Sequence, residues 1–236
     1  MKLFDIQAYH LHQQRAKKTF HDHDFLYQHV RDELLARLQD FKARFLEPLT
    51  LSPLPSFGIH HAILEDYLSF PKETFDLILS CLQAHWINDL PGHLKSIHHS
   101  LKKEGLFLGA LWGGRTLYEL RESLLQAEIK LTGGASPRMA PLLHPTDASI
   151  LLGKAGFFMP VVDTEIITVT YPSILNLITD LRGMGETNKL IDRPKTFTSK
   201  LLFKAAEEIY HEAFGNNSGT LPATFEVIYL TGWKHA

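Results

Sequence analysis

Between residues 75 and 112 the chain reads FDLILSCL, then LPGHLKSIHHSLKK, then EG, then LFLGALW. Two apolar runs of strand length, divided by a helical stretch and a glycine, require a crossover. The pattern predicts a strand over 75–82, a helix over 90–103 stopped at Glu104-Gly105, and a strand over 105–112. A connection of this length joins parallel strands, and parallel strands are covered on both faces. That burial explains why both runs are almost continuously apolar. The chain is therefore expected to be α/β.

The flanks extend the same pattern. Residues 22–45 place Phe25, Leu26, His29, Val30, Leu34, Leu38 and Phe41 on one helical face, with Asp22 or Asp24 available as the cap. Residues 115–130 predict an amphipathic helix with Leu117, Leu120, Leu124, Leu125 and Ile129 inward. Another helix is expected near 145–154, capped by Thr146 or Asp147 and ending at Ala155-Gly156. The alternation in VVDTEIITVTYP predicts a strand over 161–171. Helices follow near 172–183 and 197–214, and a last strand, 224–233, could pair antiparallel with 161–171 at the sheet edge.

Composition narrows the function. A formal charge of −2 over 236 residues carries no basic excess of the kind that nucleic acid demands. The single Cys81 rules out an internal disulfide and a cysteine zinc site, and its apolar neighbours suit a buried, inert thiol. Fourteen histidines include the close pairs His98-His99 and His21/His23, but no third ligand stands at a recognisable spacing, so no metal site is expected. No apolar run approaches the roughly 20 residues of a membrane span. MKLFDIQAYH lacks an apolar signal core, so the expected location is cytoplasmic.

Six blocks, in order, carry a resemblance: HWINDLPG (85–92), GGRTLYELR (113–121), GGASPR (133–138), AGFFMPVVDTE (155–165), DLRGMGETN (180–188) and PATFEVIYLTGWK (222–234). They resemble class I S-adenosylmethionine-dependent methyltransferases. Within that family they are similar to the branch of the biotin-pathway malonyl-carrier methyltransferase and the methyltransferase-like assembly factor of respiratory complex I. The resemblance implies a Rossmann-like sheet, S-adenosylmethionine as cofactor, and a protein or carrier-protein substrate. It divides the chain into an N-terminal helical segment, 1–45, and a methyltransferase-like α/β domain, 46–236, with helical lid elements at about 113–150 and 172–220.

One part of the family pattern is missing. The fold follows its first strand with a glycine-rich turn, a helix and a second strand ending in an acid, so that backbone amides and a carboxylate hold the nucleoside. Here residues 46–61 read LEPLTLSPLPSFGIHH, with Pro48, Pro53 and Pro55 and the one glycine Gly58. Proline has no N–H to offer. The turn, first helix and second strand therefore read as deleted, leaving a sheet truncated in its N-terminal half.

Candidate site residues follow from the resemblance. Glu65 and Asp66 would reach an adenine amino group only if their loop re-registers. Ser80 and Leu82 stand where the family's backbone flanks the cofactor's amino-acid end; Trp86 is a further cofactor-binding candidate beside His85 in the cleft, with packing on the sheet as the favoured alternative. His85 is a candidate proton acceptor beside Asp89, or a residue that hydrogen-bonds a loop carbonyl. Arg138, Tyr171, Met184 and Asn188 belong to the substrate lid. Two functions are carried forward. One is a protein of complex I assembly that binds a protein partner, such as a complex I subunit, and has lost tight cofactor binding. The other is an active methyltransferase. A homodimer is one way to complete a shortened site.

Overall fold

The computed structural model describes residues 2–53, the backbone of 59–60, and residues 70–235. They form two compact units, each assembled from three separate stretches of chain. The α/β unit comprises residues 25–113, 143–165 and 227–236, and the helical unit 1–24, 114–142 and 166–226. This division does not follow the expected boundary at residue 45. The first helix groups with most of the lid, and the second helix groups with the sheet.

In the α/β unit, strands β1 (Pro48–Leu51), β2 (Ile59–His60), β3 (Phe75–Cys81) and β4 (Leu101–Trp112) run parallel in the order β2-β1-β3-β4. Strand β6 (Leu221–Trp233) pairs antiparallel with β4, and β5 (Phe158–Tyr171) lies outside β6, making the sheet mixed. The chain passes from one unit to the other within β5, after Glu165, and returns within β6, after Glu226. Leu77, Ile78, Leu106 and Leu108 are fully shielded, as the apolar runs required.

Helices α2 (Phe25–Gln39), α3 (Leu90–Ser100) and α5 (Pro145–Ala155) belong to this unit. α2 buries Leu26, Tyr27, Val30 and Leu34, but it is shorter than the predicted 22–45, and Phe25 at its first residue is exposed. His29 also points outward and meets Glu165 at 2.8 Å. α3 stops at Ser100 rather than 103. The expected stop at Glu104-Gly105 is instead a bulge in β4: Phe75 pairs with Leu101 and Leu77 with Leu106, so residues 102–105 are accommodated with Glu104 at a φ of 60°. α5 is capped by His144, whose Nδ1 accepts from the Thr146 amide at 3.4 Å, rather than by Thr146 or Asp147. It ends as expected at Gly156, where φ is 99°.

The helical unit holds α1 (Ile6–Ala16), α4 (Tyr118–Thr132), α6 (Ile174–Gly183) and α7 (Lys200–Phe214). α4 departs from the simple amphipathic reading. Leu117, Leu120 and Leu124 are buried, whereas Leu125 and Ile129 are exposed. The buried face takes polar residues instead: Glu119 accepts from the Thr224 amide and hydroxyl, Ser123 donates to the Glu119 carbonyl, and Glu128 is fully engaged by a neighbouring loop. Each of these three side chains finds a partner, which is the condition for burying it there.

Candidate functional site

Strand β3 ends in a left-handed turn. Leu82 has a φ of 50°, is buried, and donates its N–H to the Ala110 carbonyl at 2.9 Å. A non-glycine residue in that region costs roughly 1 kcal/mol or more, and here burial and the hydrogen bond hold it. The turn leads into a short 3-10 helix, Ala84–Trp86, at the carboxyl end of the strand, where open α/β sheets place their ligands. The His85 ring is buried in an aromatic corner, its centroid 5.3 Å from Trp86 and 6.3 Å from Trp112. The Ser80 hydroxyl and Gln83 Oε1 are buried with no hydrogen-bond partner among the described residues. Ser80, Leu82, His85 and Trp86 thus follow one another along the end of β3 and the turn after it, with the His85 and Trp86 rings in contact.

Asp89 is engaged differently. Its carboxylate accepts the Gly92 N–H at 2.9 Å and caps α3, with Pro91 in the first turn. A carboxylate committed to a helix end is a positioning element for the chain. Cys81 is buried beside Ser52, and burial pushes its thiol up to about 12. Glu65 and Asp66 lie outside the described residues. Strands β1 and β2 run parallel and pair at Leu49–Ile59 and Thr50–His60, yet only residues 52–58 join them.

In the helical unit a cavity of about 730 Å³ opens between α1, α4, α6 and the loops after α4 and α6. Leu120, Leu124, Ile178 and Leu181 supply its apolar wall, and Arg15, Arg138, Arg182 and Arg193 its guanidinium groups, with Glu186 as the one acid on the wall among the described residues. Arg138 donates to Glu128 at 2.7 Å and to Thr198 at 3.0 Å, while Glu128 also accepts the Ser136 amide and hydroxyl. The Arg138 guanidinium pulls the Glu128 carboxyl down to about 2. Arg193 donates to Asp5 at 2.9 Å, and the Asp5 carboxyl is lowered first by the Ala8 N–H and then by Arg193, against its burial. His12 lies 3.0 Å from the Thr187 hydroxyl. Burial, then Lys189, Arg193 and Arg15 nearby, pull its pKa down to about 4.

Of the expected lid residues, Arg138 and Asn188 line this cavity, and Asn188 ties the two loops by donating to the Pro137 carbonyl at 2.8 Å. Met184 is buried at the end of α6 and Tyr171 at the end of β5; neither is on the wall. Burial, then Asp180, raise the Tyr171 hydroxyl above its usual range. The sequence reading missed His12, Arg15, Arg182 and Arg193. His12, Arg15 and Arg182 sit on helices, where periodicity assigns polar residues to solvent, and Arg193 lies in the loop before α7.

Comparison with known proteins agrees with this fold. A family profile described as methyltransferase domain matches residues 36–109. The arginine-hydroxylase NDUFAF5, mitochondrial, of Danio rerio is 44% identical over 209 residues, which is 88% of this chain and 64% of that protein. The chain thus spans less than two thirds of that relative's length. A putative methyltransferase of Rickettsia prowazekii is 35% identical over 71% of this chain and 75% of its own. In structure, a putative methyltransferase of Bacillus halodurans superposes with a TM-score of 0.50 at 12% identity, covering 86% of this chain and 99% of its own. The relatives also overturn the cytoplasmic expectation: the Danio rerio protein is mitochondrial by name, and a short N-terminal reading without an apolar signal core does not distinguish the two locations.

Proposed function

Since this chain belongs to the class I S-adenosylmethionine-dependent methyltransferase family, we propose that it serves in respiratory complex I assembly by binding a protein partner, and that it has lost tight hold of the family cofactor. The observation that carries the second clause is the join between β1 and β2. Parallel strands normally need a crossover of a dozen or more residues to accommodate a helix, and residues 52–58 are seven. Neither a glycine-rich turn followed by a helix nor the row of amides it would present fits that length. The residues present therefore do not fit the nucleoside end of S-adenosylmethionine. The arginine-hydroxylase activity in the relative's name belongs to a longer protein, and the proposal here is confined to binding.

A second reading, an active methyltransferase, is favoured by one observation. The strained turn at Leu82 gathers Ser80, His85 and Trp86 at a strand end, and strain of this kind collects at ligand sites. Titrating the chain with S-adenosylmethionine in a calorimeter separates the two readings. The proposal expects no saturable heat up to about 1 mM ligand, a limit of roughly −4 kcal/mol in binding free energy. Saturation in the micromolar range would overturn it in favour of the enzyme.

A further inference from the structure

The cavity of the helical unit contains two kinds of arginine. Arg138 and Arg193 each hold a carboxylate of the protein itself, Glu128 and Asp5. Arg15 on α1 and Arg182 on α6 form no ion pair among the described residues, and both are exposed. The rim of the cavity therefore carries two uncommitted guanidinium forks on different helices, beside the aliphatic wall of Leu120 and Leu124.

We infer that this cavity binds a small amphiphilic organic anion, its carboxylate or phosphate head taken by Arg15 and Arg182 and its hydrocarbon body lying against Leu120 and Leu124. Guanidinium forks match both kinds of head in bidentate geometry. The volume of about 730 Å³ lies inside the usual range for small-molecule sites, roughly 300–1,000 Å³, which also mix an apolar lining with a few convergent polar groups. With Arg138 and Arg193 matched by Glu128 and Asp5, an organic cation would still meet Arg15 and Arg182 against one acid of the wall among the described residues, Glu186. A wholly apolar ligand would leave the two exposed arginines to water and gain nothing from them. Burial first, and then the charges of Lys189, Arg193 and Arg15, keep the His12 ring neutral.

The test is calorimetry on the full chain with sodium decanoate, decyl phosphate and decyltrimethylammonium, each below its micellar concentration. One saturable site for decanoate, for decyl phosphate or for both is expected, with none for the ammonium; which anions bind identifies the head group. The variant R15E/R182E, changed only at exposed positions, should weaken anion binding by about tenfold or more while keeping the parent melting temperature. In parallel, the His12 ring should titrate at higher pH once the anion is bound. Absence of binding by both anions, equal binding of the ammonium, undiminished binding by the variant, or an unmoved His12 would each overturn the assignment. No S-adenosylmethionine enters the experiment, so its outcome is independent of whether the chain holds that cofactor.

Discussion

Glu128 illustrates how one carboxylate organises a loop. From the buried face of α4 it receives the Ser136 amide at 2.8 Å, the Ser136 hydroxyl at 2.9 Å and Arg138 at 2.7 Å. Its pKa falls from 4.5 to about 2, so the unfolded chain binds the proton more readily. The stabilisation is fully present above pH 4.5 and disappears as pH falls toward 2. Glu128→Gln should therefore lower stability at pH 7 by about 1–3 kcal/mol. Urea denaturation at pH 7 and again near pH 3 is the check: the gap between parent and variant must narrow in acid. A gap independent of pH would mean that packing, not charge, holds the loop.

Among the elements, strands β3 and β4 were legible because a buried parallel strand has no polar face to conceal, and FDLILSCL and LFLGALW admit few other readings. α4 was only half legible. A face rule that counts leucines turns Leu125 and Ile129 inward, but the helix buries Glu119, Ser123 and Glu128, whose partners stand 105, 4 and 8 residues away. The cavity was least legible, because His12 and Thr187 meet across 175 residues of sequence. Where a local rule and a tertiary contact agree, the reading holds, as at the end of α5. Gly156 adopts a φ of 99°, and a Cβ there would stand 3.2 Å from the His98 ring. Gly156→Ala should accordingly cost about 1–2 kcal/mol in a denaturant titration. A neutral result would show that the chain can cap this helix another way.

Across the whole molecule, several buried groups favour the less protonated state. Burial draws His93 down from 6.5 to about 4, against Asp89, and Lys189 from 10.5 to about 8, against Glu186. In each case the folded protein binds the proton less readily than the unfolded chain. Stability should rise with pH between 4 and 6.5, and again between 8 and 10. The tyrosines Tyr9, Tyr171, Tyr210 and Tyr229 act in the opposite sense, because burial raises them above 10, so stability declines beyond that point. Melting temperatures should be higher at pH 9.5 than at pH 7, and Lys189→Met should abolish the upper rise. A parent curve that declines over that interval would contradict this account.

One border of the sheet has a consequence for life in a crowded compartment. At the border formed by β5, Pro160 lacks a donor and stands next to Met159, whose φ is 48°. An incoming strand finds a broken row of donors at this end of β5. Accretion of foreign strands is discouraged at that margin.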